Sequence, residues 1–228
     1  MSEVGKAFLA GLGRPDPREP SGLKFPRWKQ GTWDGLYREI GAGFYKDRFY
    51  CLFGKGVDRL SACLEAWSFI VPPSKGERMI LGRNAYGAIL VLDDVGEPER
   101  EQTCILDPLT VTWAEHDQAM FTNLLGRWLP EQDLYPPFHD HALYQQWRKE
   151  SGEALGPDEI LSIKVPLGGL GGQMKLSNFL VEDIFNYYKT TAPIFAKAKA
   201  QADAASKKKA ARPKPRGQST SSSRPKRR

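Results

Sequence analysis

Phe138-His139-Asp140-His141 sets two imidazoles two residues apart around a carboxylate, donors that suit a divalent metal. Side chains two apart point to opposite faces of a strand, or about 200° apart on a helix, so this pair alone closes no site. The plainer reading has Asp140 capping a helix with the histidines exposed. His116, between Glu115 and Asp117, reads as a solvated helix start rather than a general base. Gly168-Gly169-Leu170-Gly171-Gly172 precedes a helix and invites a phosphate. Its spacing misses GxGxxG, whose third glycine would fall at Met174, so a structural turn is the preferred reading. Cys51, Cys63 and Cys104 form no CxxC pair and read as reduced thiols, with Cys63 a small hydrophobe on an apolar helix face. There is no GxxxxGK[ST] loop, HExxH or GxSxG. The expectation is a binding protein, not an enzyme, with no catalytic residue, metal or cofactor.

Charge carries more information. An acidic run, Asp93, Asp94, Glu97, Glu99 and Glu101, is interrupted only by Arg100. It reads either as the solvated tip of a hairpin or as a docking surface for a basic partner, whose encounter it would speed. The opposite sign gathers at the C-terminus in Lys207, Lys208, Lys209, Arg212, Lys214 and Arg216, followed by Arg224, Lys226, Arg227 and Arg228. The net charge of +6 is thus an average over a tail from Phe195 onward at +11 and a remainder at −5. The tail is either a solubilising appendage or a sequence-independent grip on nucleic acid phosphates. No aromatic residue follows Phe195, which argues against base stacking by the tail.

The elements that must position these groups follow from period and punctuation. With 228 residues, 40% of them hydrophobic and six of them tryptophan, the chain can bury one large core or two small ones. No apolar run approaches the roughly 20 residues of a membrane span, and the N-terminus makes a poor signal peptide, so a cytoplasmic protein is expected. Residues 1–24, rich in Gly and Pro, read as irregular. Asp34 is placed to cap a short helix through Leu36, Tyr37 and Ile40, ended by Gly41 and Gly43. Residues 49–53 read as a strand, and Val57, Leu60, Leu64 and Trp67 share one helical face. Short β-prone runs at 78–81, 88–92, 103–106 and 110–113 are joined by turns too short for parallel crossovers. Helical spacing returns at 117–129 and 140–149, a strand is read at 160–165, and a last helix from Ser177 through Leu180, Ile184, Tyr187 and Tyr188. The expected class is α+β: an antiparallel sheet flanked by helices, divided as 25–75 and 76–193. A basic Ala/Lys/Pro/Ser-rich tail, 194–228, should be marginally helical to Ala211 and disordered beyond.

Pro166-Leu167-Gly168-Gly169-Leu170-Gly171-Gly172 resembles the Pro-x-Leu-x-Leu-Gly-Gly turn of bacterial type VI secretion immunity proteins, in which a GAD-like domain precedes a Tdi-type immunity C-terminal domain. Pro166, Leu170, Gly171 and Gly172 match, while Gly168 stands where that family has a larger residue. Arg83-Asn84-Ala85-Tyr86-Gly87 followed by Ile89–Leu92 is similar to the family's aromatic–glycine–strand segment. Leu36–Phe44, with Trp67 closing the next helix, is similar to its GAD-like segment. The pieces occur in the family's order across roughly residues 25–190. The resemblance implies a GAD-like segment at 25–75, an immunity domain at 76–193, and cytoplasmic neutralisation of a secreted toxin, often a DNase, by stoichiometric binding. A phosphate-binding toxin tends to be basic, and an acidic body suits its inhibitor. The basic tail lies outside the pattern and supports a rival reading, a regulator that holds DNA through it.

Overall fold

The computed structural model describes residues 1–23, 30–94, 101–116, 121–132, 138, 140–164, 167 and 172–210. Residues 88–92 are apolar without interruption because the strand they form is covered on both faces. That strand, β5 (Ile89–Asp94), sends Ile89 and Val91 into one cluster and Leu90 and Leu92 into another. Around it the chain lays down β1 (Arg18–Glu19), β2 (Ala42–Tyr45), β3 (Tyr50–Leu52), β4 (Arg78–Asn84), β6 (Glu101–Asp107) and β7 (Thr112–His116). Among the described residues these seven strands form one antiparallel sheet in sequence order. The fold is α+β, with β8 (Glu159–Ile163) and β9 (Phe179–Asp183) pairing antiparallel in a second, two-stranded sheet.

The turn between β4 and β5 shows how local chemistry sets the register. Asn84 Oδ1 accepts the backbone N–H groups of Tyr86 (3.0 Å) and Ala88 (2.9 Å), and Gly87 takes the positive φ of 83° that the turn requires. Within β4 the register slips between Ile80 and Gly82, and a Cβ at Gly82 would overlap the Cys51 carbonyl oxygen on β3. Close approach of two strands is bought there by glycine.

Helices cover both faces. On one lie α1 (Glu3–Leu12), α2 (Gln30–Ile40), a helical run of α4 (Phe121–Asn123), a π turn (Leu124–Trp128) and α5 (Leu129–Glu131), and α6 (Ala142–Ser151). On the other lie a 3-10 turn (Val57–Leu60), α3 (Ser61–Ala66) and α7 (Ile184–Ala210).

Four expectations are corrected. The N-terminal stretch is not irregular: Ser2 Oγ accepts the Gly5 N–H at 3.0 Å, and Phe8 and Leu12 of α1 are buried. Asp34 lies inside α2, which starts at Gln30, so it is no cap. The division at residue 75 does not separate two cores, because β3 and β4 pair across it (Tyr50↔Asn84) and one cluster runs from Phe8 to Phe179. The last helix does not begin at Ser177; Leu180 is on β9, and Asp183 Oδ1 starts α7 by accepting the Asn186 N–H at 2.8 Å. α7 then runs through Pro193, so residues 194–210 continue a helix, and Phe195 is buried against Trp67 with ring centroids 5.3 Å apart. Pro193 removes one intrahelical hydrogen bond, and that aromatic contact ties down the segment beyond it.

Candidate functional site

The acidic run proves to be two different things. Asp93, on β5, pairs across the sheet with Arg78 on β4; its carboxylate takes the Arg78 guanidinium at 2.6 Å and the Ser74 hydroxyl. The guanidinium in turn lies 5.0 Å from the Trp113 ring, within cation–π range. Glu101 is buried at the start of β6, in register with Asp94. Asp93 and Glu101 are therefore corrected from exposed docking charges to buried groups at the base of the hairpin. Opposite charges facing each other across adjacent strands hold register, and the Arg78–Asp93 pair was legible once the pairing was known. Glu97 and Glu99 and the side chain of Asp94 lie outside the described residues.

Sequence reasoning passed over a second acidic face. Asp158, Glu159, Glu182 and Asp183 line a shallow groove of about 410 Å³ beside Val181, at the β8–β9 sheet. Each carboxylate already has work in the fold. Asp158 meets Arg59 at 3.0 Å, Glu159 accepts the Gly156 N–H at 2.7 Å, Glu182 holds the Ser162 hydroxyl, and Asp183 starts α7. Leu180 and Val181 on β9 are nevertheless exposed.

Two of the pieces that carry the family resemblance, Trp67 and the Ala85–Gly87 turn, meet strand β8 and α7 at one joint. Trp67 is fully buried and donates its indole N–H to the Tyr188 carbonyl at 3.1 Å. The Tyr188 hydroxyl donates to the Gly87 carbonyl at 2.9 Å, and the Leu161 N–H donates to the Ala85 carbonyl at 2.8 Å. The helix closed by Trp67, the Ala85–Gly87 turn, strand β8 and the start of α7 are thereby locked together. Burial pushes the Tyr188 phenol well above its ordinary pKa, so it stays a neutral donor. Next to the joint, Arg83 is buried and donates to the carbonyls of Asn84 (3.1 Å), Gly156 (3.0 Å) and Pro157 (2.7 Å). Three carbonyl dipoles cradle that charge where a carboxylate would be usual. Its desolvation lowers its pKa from the ordinary value.

The remaining candidates are placed as follows. Asp140 Oδ1 accepts the Ala142 N–H at 3.4 Å at the start of α6, while His141 is half-buried with its ring 5.4 Å from Phe49, not exposed. His116 ends β7 rather than starting a helix, its ring 5.6 Å from Trp128. Cys63 and Cys104 are buried and Cys51 half-buried, all three free, and burial pushes the Cys63 and Cys104 thiols up to about 12. Among the described residues no group of three His, Cys, Asp or Glu could hold a metal ion. None of their helices is long and apolar enough to cross a membrane. Pro166, Leu170 and Gly171 of the glycine-rich turn lie outside the described residues, and only Gly172 of the matching four is inside. Lys207, Lys208 and Lys209 fall on the last turns of α7, with their side chains outside the described set, as are Arg212, Lys214 and Arg216 altogether.

The chain matches no protein-family model and no curated protein. In fold it is similar to Atu4351 from Agrobacterium tumefaciens, whose crystal structure superposes with a TM-score of 0.58 at 18% identity, over 82% of this chain and 87% of that one. At that identity the likeness is one of architecture.

Proposed function

We propose that this chain is an immunity protein that binds and neutralises, in the cytoplasm, a toxin delivered by type VI secretion, a basic DNase. The observation that carries the reading is the joint described above. Two pieces of that resemblance, Trp67 and the Ala85–Gly87 turn, are tied to Tyr188, 121 residues beyond Trp67 and 101 beyond Gly87, through hydrogen bonds of 3.1 and 2.9 Å. Trp67 and the Ala85–Gly87 turn thus build one shared framework in the core. The body's charge of −5 outside the tail supports a basic partner, since opposite net charge steers encounter. Inhibition is by binding, with no reaction performed by this chain.

The test is co-expression with the product of the adjacent gene. A stable complex of fixed stoichiometry, together with protection of cells expressing that product, is the expected result. A neighbour that is neither toxic nor bound sinks the proposal. The second reading, a regulator that holds nucleic acid, is favoured by one observation: the 27-residue helix α7 runs on past Phe195 into the basic segment, through Lys207, Lys208 and Lys209. Loss of all biological activity on removing the tail would select it.

A further inference from the structure

β9 is the outer strand of the two-stranded sheet, and its second edge meets no strand among the described residues. The ladder shows which groups that edge offers. The Ile184 N–H donates to the Asp158 carbonyl and the Lys164 N–H to the Asn178 carbonyl, each at 2.8 Å. In the register that runs from Glu159↔Asp183 to Ile163↔Phe179, these bonds make the even-numbered residues of β9 the ones that face β8. Phe179, Val181 and Asp183 therefore turn their backbone groups outward. The Phe179 N–H donates to the Leu176 carbonyl, and Asp183 gives its carbonyl to the first turn of α7. Val181 keeps both its N–H and its C=O without a hydrogen bond among the described residues. β8 is not open in this way, since its Leu161 N–H is held by the Ala85 carbonyl.

Edge strands are ordinarily blunted by lysine, proline, a bulge or a cover. β9 reads Phe-Leu-Val-Glu-Asp with an unbroken register, so it has no lysine, proline or bulge. Leu180 and Val181 are each 41% exposed, on opposite faces of the strand. What guards the edge is charge of one sign. Glu182 and Asp183 follow the apolar pair, and the groove beside them adds Asp158 and Glu159, the latter in register with Asp183. Among the described residues only Asp158 of these four carboxylates faces a cation, Arg59. The others hold the Gly156 N–H, the Ser162 hydroxyl and the Asn186 N–H, donors that fix a carboxylate without neutralising it. The edge is thus apolar at one end and acidic at the other.

An open edge of this kind takes up an extended chain, whose main chain bonds to the strand while its alternate side chains give specificity. The sign of the guard decides which chain. A second copy paired antiparallel about Val181 would set Glu182 opposite Leu180 of that copy and double the four carboxylates. The chain's own basic C-terminal segment has the right sign, but Pro213, Pro215 and Pro225 interrupt its N–H donors. A basic strand from another protein meets both ends of the edge, since opposite charges facing across strands stabilise the pair and apolar residues cover Leu180 and Val181. We propose that the open edge of β9 takes up an extended basic segment of the partner protein as an added strand. The identity of that partner as the toxin rests on the immunity reading, whereas the chemistry of the edge does not.

The edge is tested first without any toxin. The full chain, labelled with nitrogen-15, is titrated with a blocked pentapeptide, Lys-Arg-Val-Thr-Val. Laid antiparallel, it sets its basic pair opposite Asp183 and Glu182 and its first valine opposite Val181. Two controls accompany it: Glu-Asp-Val-Thr-Val, and the basic peptide N-methylated at its first valine. Saturable movement of the Val181 amide signal by the basic peptide is expected at high micromolar to millimolar concentration, with slower hydrogen exchange of that amide. N-methylation should weaken binding about tenfold, and the acidic peptide should not bind. No response to the basic peptide, or an equal response to either control, would overturn the site. Val181→Pro removes the outward N–H, and Leu180→Lys places a like charge on the edge; each should weaken the basic peptide at least several-fold. If Val181→Pro does not fold, Leu180→Lys and the N-methylated peptide decide. A chain that is dimeric by sedimentation, and monomeric as Leu180→Lys, would give the edge to a second copy and overturn the proposal. Tighter peptide binding after truncation at Ala198 would give it to the chain's own tail, with the same consequence. The second arm uses the co-purified toxin: Leu180→Lys should lower its affinity about tenfold, and the basic peptide should compete. If the peptide binds but the toxin's affinity is unchanged, the toxin assignment of the edge fails. If the peptide binds and no toxin does, the immunity reading fails while the edge stands.

Discussion

Trp67 is fully buried, and its ring lies 5.5 Å from Phe69, 4.9 Å from Tyr188 and 5.3 Å from Phe195. Trp67→Ala should therefore cost about 3–5 kcal/mol, the range for large aromatic truncations in a core, read as a lower urea midpoint. A loss below about 1 kcal/mol would mean the joint is not where the body is held together. Buried phenols and thiols add a pH signature. Burial raises the pKa of Tyr45, Tyr50, Tyr86, Tyr187 and Tyr188, takes Tyr144 up to about 12, and takes the Cys63 and Cys104 thiols to about 12. In each case the folded state holds its proton more tightly than the unfolded chain. Their contribution is therefore complete below the unfolded values, about 8.5 for Cys and 10 for Tyr, and is lost as pH rises toward the folded ones. Stability should fall above pH 9 to 10, and tyrosinate absorbance at high pH should appear together with unfolding. Tyrosines that all ionise near pH 10 in a chain still folded would contradict this.

At the scale of elements, the two ends of the chain should respond oppositely to truncation. Removing residues 1–13 strips Phe8 and Leu12 from the core, each a side chain whose burial is worth about 1.5–3 kcal/mol, so a large fall in melting temperature is expected. Cutting after Ala198 keeps Phe195 on Trp67 and should leave the melting temperature almost unchanged, whereas cutting after Pro193 loses that contact and should lower it measurably. Equal effects of the last two cuts would show that Phe195 contributes nothing. These same elements mark what the sequence disclosed. The central strands were legible because Ile89–Leu92 is apolar on both faces, a signal independent of context. α1 was not, because Gly5 and Gly11 weaken its propensity, and what stabilises it is Phe8 and Leu12 entering a core built mainly by distant residues. β9 was read as helix because a short apolar run such as Phe179–Val181 fits either period. The candidate site was least legible. The joint draws on Trp67, Ala85, Gly87, Leu161 and Tyr188, which no local spacing connects, and the acidic run lost Asp93 and Glu101 to burial that only the strand register reveals.

For the molecule as a whole, the question is whether its two charge regions act together. The segment from Phe195 onward carries +11 and the rest −5, and α7 joins the two as a continuous helix through Ala210. A chain segment of that charge displaces counterions from DNA whatever the base sequence, and each neutralised phosphate adds about −0.9 to the log–log salt slope. The full-length protein should therefore shift a random duplex at low salt, with micromolar or weaker affinity, and lose most of that binding between roughly 50 and 200 mM salt. Removing residues 199–228 should abolish the shift, because the body left behind has the wrong sign for phosphates. That truncation keeps Phe195 packed on Trp67, so under the immunity reading it should leave toxin neutralisation largely intact. Both readouts are taken on one variant whose fold is checked by its melting temperature. If the folded, truncated protein no longer protects cells, the acidic body is not the inhibitor, and the function belongs to the tail.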